Sequence, residues 1–259
     1  MLSAPSRLPA IRALALDLEA LALPQACLGC DRELAPGEEP EACCTLCRHR
    51  MRRIGPPLCG RCGQPLDRWS ARWEAEGAGR GHCEFCAEWP AELAWAASAV
   101  WLEEGPARSL VYALKYGGWR VAARPMAAVI AAALAPRLRG LDALVPIPLG
   151  RTRLRERGHN QAALLADALG RATGVRVLHA ALVRARETRT QTRLSPAGRW
   201  ENTRGAFTAS GKSLGGMHVA LVDDVVTTGA TLGAAAQALA ELGTASIGAA
   251  TFARARVPA

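Results

Sequence analysis

All nine cysteines of this 259-residue chain lie between Cys27 and Cys86. They form four CxxC pairs, Cys27/Cys30, Cys44/Cys47, Cys59/Cys62 and Cys83/Cys86, with Cys43 left over. Two thiolates separated by two residues on a turn can face one tetrahedral ion, at about 2.3 Å each. Gly29 in the first pair and Gly63 after the third suit such a tight turn. Taken in order, the pairs make two four-cysteine sites; an interleaved pairing is the alternative, and one or two structural Zn2+ ions are the expected load. The segment is rich in Pro, Gly and charge and poor in core residues, so bound metal would supply the missing stability. A disulfide framework is the competing reading, but it needs an oxidising compartment. His49 and His82 stand beside ligand pairs and read as solvated loop residues.

A second feature lies in "VALVDDVVTTGATL", residues 219–232. Residues 219–222 read as a buried strand, apolar on both faces, and residues 229–242 as a helix rich in Ala and Leu. Residues 223–229 are then a turn from the carboxyl end of a strand into a helix amino terminus. Ligands collect there in open α/β sheets, and the free N–H groups of a helix start favour an anion. The acceptor-only side chains of Asp223 and Asp224 suit a diol such as the ribose hydroxyls. The turn therefore predicts a sugar phosphate site. A capped helix, with Thr227 or Thr228 as N-cap, would explain only one carboxylate and one threonine. A P-loop is not indicated, because its lysine is missing.

The remaining chain alternates in the same way. Residues 93–102 predict a strand or two, 109–116 a helix ended by Gly117 and Gly118, and 121–138 a second helix. Strand 143–147, helix 160–172, strand 175–182 and a last strand 246–252 follow. This pattern predicts an α/β fold with a mainly parallel sheet covered on both faces. Residues 184–207 show almost no apolar periodicity, and loops of that length in a compact domain are usually functional or disordered. We expect residues 1–24 to form an N-terminal amphipathic helix, 25–90 the Cys-rich domain, and 91–259 the α/β domain.

The formal charge of +9 suits a polyanionic partner. The basic residues are nearly all arginine, with lysine only at Lys115 and Lys212, a bias that codon usage can produce. No apolar run reaches membrane-spanning length; the longest clear one, residues 126–135, is bracketed by Pro125 and Pro136. Asp17 and Glu19 argue against a signal or transit peptide, so a cytoplasmic location is expected.

"LVDDVVTTGATL" resembles the 5-phosphoribosyl-1-pyrophosphate (PRPP) loop of type I phosphoribosyltransferases. With the cysteine pairs, "LKYGG", "VPIPL…RGHNQ" and the series Thr188, Gln191, Leu194, Arg199, Asn202 and residues 205–207, nearly the whole chain resembles the ComF family (ComFC- or GntX-like proteins). The resemblance implies a double zinc ribbon followed by a phosphoribosyltransferase domain. Asp223 and Asp224 would then hold the ribose and offset charge at its anomeric carbon. Val226, Thr227, Thr228, Gly229, Ala230 and Thr231 would grip the 5′-phosphate. Leu149, Gly150 and Arg151 would form the pyrophosphate loop, with Lys115 near it. Thr188, Gln191, Arg199 and Asn202 would belong to a lid over the pyrophosphate side. Mg2+ would enter with PRPP, with few direct protein ligands. His159 departs from the family's usual Phe or Tyr, which weakens any stacking role there.

Two readings follow. One is an enzyme transferring phosphoribosyl from PRPP to an acceptor, linked through the family to competence and DNA uptake. The other is a non-catalytic accessory of natural transformation that binds single-stranded DNA and uses the PRPP site as a sensor. Single-stranded DNA and competence helicase-type proteins are the further partners the resemblance implies. Within the arginine-rich segments, Trp200 and Phe207 are the obvious stacking faces for DNA.

Overall fold

The computed structural model describes residues 26–35, 42–67, 83–186 and 196–256. The expected helix over residues 1–24 lies outside these. A short helix α1 (Thr45–Arg50) belongs to the Cys-rich segment. Then come β1 (Leu93–Trp101), α2 (Pro106–Lys115), α3 (Ala123–Leu138), β2 (Ala143–Pro146), α4 (Arg151–Arg157), α5 (Gln161–Thr173) and β3 (Arg176–Val177). After β4 (Leu182–Arg184), α6 (Pro196–Thr203) and β5 (Phe207–Ala209), the chain forms β6 (His218–Val226), α7 (Ala230–Ala240) and β7 (Ser246–Arg254).

Five strands make one sheet in the order β1-β7-β6-β2-β3, and every pairing is parallel. Its central strands are apolar on both faces because both faces are covered, as all-parallel sheets require. Side chains alternate across the sheet. Ala220, Val222, Ala250 and Phe252 pack on one side with α2, α3 and α5. Val219, Leu221, Ile247 and Ala249 pack on the other with α7. The cysteine sites divide between these two cores. Cys27, Cys44 and Cys47 join the α2–α3–α5 side, and Cys59, Cys62 and Cys86 join the α7 side.

Three expectations are corrected. The predicted strand 175–182 is two short pieces. β3 pairs with β2, while β4 turns away to form a separate antiparallel pair with β5. The 184–207 stretch is not structureless: α6 lies within it, and the Trp200 ring is seated against Gly233 of α7, where a Cβ would come within 2.8 Å. β6 runs on to Val226, so Asp223 and Asp224 belong to the strand and not to the turn. Pairing with β7 continues through Asp223, Val225 and Val226, whereas β2 stops opposite Val222.

Candidate functional site

The chain leaves β2 toward β3 on one side and leaves β6 toward β7 on the other. The crevice beyond the carboxyl ends of β2 and β6 is thus the topological switch point, where open α/β sheets bind ligands. A cavity of about 230 Å3 sits there. Ile147 and Leu149 after β2 line it, and so do Asp223 to Thr227, Gly229 and Thr231 from the β6 end and the start of α7. Lys115, Arg153, Arg157, Gln161 and Arg184 complete the wall.

Asp224 is buried, 2% exposed, and its Oδ2 meets Lys115 Nζ at 2.5 Å. Gln161 Nε2 donates to Asp224 Oδ1 at 3.5 Å, and Arg157 donates to Gln161 Oε1 at 2.9 Å. Burial alone would raise the Asp224 carboxyl, but the Lys115 ammonium overrides it and holds the carboxyl below the usual range. Lys115 is likewise raised: burial would lower it, and the Asp224 charge outweighs that. Asp223 is half-buried and accepts the Asp224 backbone N–H at 2.9 Å. Burial first, and then the neighbouring Asp224 charge, push its carboxyl up to about 8. One carboxylate is therefore committed to a lysine, and the other is poised between charged and neutral.

Local structure places these groups. Asn160 accepts the Ala162 N–H as N-cap of α5 and donates to the Ile147 carbonyl at 3.0 Å, tying α5 to the end of β2. His159 is buried, and its Nε2 lies 2.7 Å from the Leu114 carbonyl, which can only accept, so that nitrogen carries the proton. It braces the end of α2 beside Lys115 and does not line the cavity. Gly229 is the N-cap of α7 at φ 86°, with no side-chain cap bond. The threonine-capped alternative thus gives way to a glycine turn, although Thr228 Oγ1 accepts the Ala230 N–H at 3.4 Å.

Of the residues assigned from sequence, Lys115, Leu149, Asp223, Asp224, Val226, Thr227, Gly229 and Thr231 line the cavity. Thr228 and Ala230 are buried beneath the loop, and Gly150 is the N-cap of α4. Arg151 is exposed at the start of α4, and Arg153 and Arg157, about one turn apart on the same helix, line the cavity instead. Thr188, Gln191 and the Arg199 side chain lie outside the described residues. Asn202 sits on α6, where its carbonyl accepts Arg186 at 3.2 Å. Trp200 and Phe207 are not free stacking faces: Trp200 packs on Gly233, and Phe207 is buried under the Arg184 guanidinium. Sequence reading had Arg184 only as the first residue of the 184–207 stretch and left Gln161 without a role; Gln161 directly follows the Asn that caps α5, which was the available signal.

The cysteines form two quartets in chain order, Cys27/Cys30/Cys44/Cys47 and Cys59/Cys62/Cys83/Cys86, each with its sulfurs within 4.8 Å of one another. Four convergent thiols of this kind fit a structural Zn2+. All nine thiols are free, and Cys43 is buried, with its pKa raised chiefly by that burial. Among the described residues no helix is long and apolar enough to cross a membrane.

Comparison with known proteins agrees with this architecture. Residues 18–88 match the double zinc ribbon domain model and residues 126–258 the phosphoribosyl transferase domain model. Competence protein F of Haemophilus influenzae is 32% identical over 210 residues, covering 77% of this chain and 85% of that protein. DNA utilization protein YhgH of Escherichia coli O6:H1 is 31% identical over 235 residues, covering 88% and 96%. Competence protein ComFC of Bacillus subtilis is 39% identical over 109 residues, 40% of each chain. With paired four-cysteine sites, a parallel sheet and a carboxylate-bearing crevice at its switch point, this chain belongs to the ComF family of double-zinc-ribbon proteins with a phosphoribosyl transferase domain.

Proposed function

We propose that this protein binds PRPP with Mg2+ in the crevice between β2 and β6 and transfers its phosphoribosyl group to an acceptor. The observation that carries this reading is the placement of Asp223 and Asp224 near the carboxyl end of β6, with Asp224 five positions ahead of Gly229, the N-cap of α7. The start of α7 offers N–H groups to the 5′-phosphate. Asp223, which a neighbouring Mg2+ would hold in its charged form, accepts from the ribose hydroxyls and offsets the positive charge that develops at the anomeric carbon as pyrophosphate departs. Lys115, Arg153 and Arg157 form the cationic wall toward the pyrophosphate. A hard cation with oxygen ligands suits the same end of the cavity, and Mg2+ bound to pyrophosphate would neutralise the leaving group. On binding, Lys115 can turn from Asp224 to a phosphate, which frees Asp224 for a hydroxyl.

The names of its relatives place those proteins in competence and DNA utilization, and we assign this chain to the same process, in the cytoplasm, where thiolates persist. Isothermal titration with PRPP and Mg2+ tests the reading. Saturable binding by the wild type that is lost in an Asp223→Asn/Asp224→Asn double variant supports it, and absence of wild-type binding refutes it. The accessory reading rests on the surface that adjoins the cavity at Arg157. Tyr112, Tyr116 and Trp119 are 56%, 65% and 40% exposed, and the Arg157 guanidinium lies 5.1 Å from the Tyr116 ring. That aromatic and cationic surface suits stacked bases, with strongly salt-dependent binding. Tight single-stranded DNA binding without PRPP binding would transfer the assignment to it.

A further inference from the structure

Trp89, at the end of the second zinc ribbon, touches the phosphate loop. Trp89 lies three residues after Cys86 and is 5% exposed. Its Nε1 donates to the Thr228 carbonyl at 3.0 Å. The loop touches the indole closely: a Cβ on Gly229 would come within 2.4 Å of Trp89 Cζ2. Trp89 is held in turn by the ribbon. Arg61, between Cys59 and Cys62, donates to the carbonyls of Cys86, Trp89, Pro90 and Leu93 at 3.0, 3.2, 2.7 and 3.2 Å. Phe85 meets the indole edge-on at 5.9 Å.

The bond to Thr228 fixes a direction. A trans peptide points its C=O and N–H to opposite sides. Tying the Thr228 carbonyl to the ribbon therefore aims the Gly229 N–H away from the indole, and Gly229 is itself a lining residue of the cavity. Glycine lowers the barrier to other backbone conformations, so this peptide could flip if it were not tied. A flipped peptide would present a carbonyl oxygen to a phosphate and repel it.

We propose that Trp89 is a positioning residue that holds the Thr228–Gly229 peptide in its anion-binding orientation, and that the Cys59/Cys62/Cys83/Cys86 site, through Arg61, holds Trp89. The inference rests on the PRPP reading for its consequence: phosphate affinity depends on the metal load of this ribbon. The other ribbon packs across the sheet and has no such contact to the loop among the described residues.

Two variants test it in the full chain. Trp89→Phe keeps a ring and removes the donor; Cys83→Ser disables the ribbon's metal site. Amide exchange of residues 226–232, measured with no ligand, should quicken in both, while exchange of β7 stays slow. PRPP affinity by titration should fall about 5-fold in Trp89→Phe, as for loss of one buried hydrogen bond, with zinc content unchanged. Unchanged loop exchange in either variant overturns the proposal, and so does faster exchange throughout the sheet, which would mean a merely structural role. Because exchange is read without PRPP, a wild type that fails to bind PRPP refutes the functional reading alone.

Discussion

Lys115, the last residue of α2, and Asp224, near the end of β6, form an ion pair of 2.5 Å with the carboxylate buried and the lysine side chain one-fifth exposed. A pair so placed is weak evidence for net stability, but removing one partner strands the other. Lys115→Met should destabilise the ligand-free protein by about 3 kcal/mol at pH 7, read by urea denaturation. Asp224 is held below the usual carboxylate range, so its contribution is present above the unfolded carboxyl pKa and lost as pH falls through the folded value. In Lys115→Met that depression disappears and the stranded carboxyl can take up a proton. The deficit should therefore shrink at pH 5; an equal deficit at both pH values would contradict the pairing.

Asp223 behaves in the opposite sense. Its carboxyl is raised to about 8, so between the unfolded carboxyl pKa and that value the folded chain holds a proton that the unfolded chain releases. Its contribution to stability falls as pH rises through this window and levels off above it. Asp223→Asn should flatten this slope and stabilise the ligand-free protein at pH 8 by about 1 kcal/mol, less than the full shift implies because the side chain is only half-buried. Asp224→Asn should instead destabilise, because it discharges the partner of Lys115. Denaturation of the two single variants across pH 5 to pH 9 separates them, and identical profiles would refute the division of roles.

The parallel sheet and the crevice could be read from sequence because their determinants are local. An apolar strand, two carboxylates and a glycine turn follow one another in a single stretch. The CxxC spacing is equally local, and it left open which pairs share a metal and how many metals bind. The missed features are tertiary. Nothing near Lys115 in sequence announces Asp224 as its partner, and the strand length of β6 depends on β7, which pairs with it through Val226. The arginine-rich stretch looked structureless because α6 is anchored on α7 by tertiary contacts without apolar periodicity, Trp200 against Gly233 and the buried Thr203 hydroxyl donating to the Ala230 carbonyl. The sequence reading picked Arg151 for the pyrophosphate loop, and only the helical turn of α4 shows that Arg153 and Arg157 line the cavity in its place.

Zinc load gives the next test. The two quartets should bind about two Zn2+ per chain, leaving Cys43 as a buried free thiol. Cys83→Ser should lower the content to about one without releasing the metal of the first quartet, because the two sites lie in separate cores. Chelation should destabilise the α7 side and the α2 side independently, giving two steps of metal release. Elemental analysis of desalted protein near zero, or protein whose cysteines are recovered as disulfides, would contradict the assignment.

Trp89 and Gly229 supply a last test by double-mutant cycle. Gly229→Ala places a Cβ at φ 86° and against the indole at 2.4 Å, so it carries both a backbone and a packing penalty. Trp89→Phe removes the outer ring whose Cζ2 causes that clash, at the cost of the bond to the Thr228 carbonyl. The two losses share one contact, so they should not add. The double variant should be more stable than the sum of the singles predicts by about 1 kcal/mol, within the range for touching residues. The remaining deficit should match an alanine in left-handed backbone. Strict additivity in denaturant titrations would mean that the indole does not rest on the loop, and would remove the structural basis for its control by the ribbon.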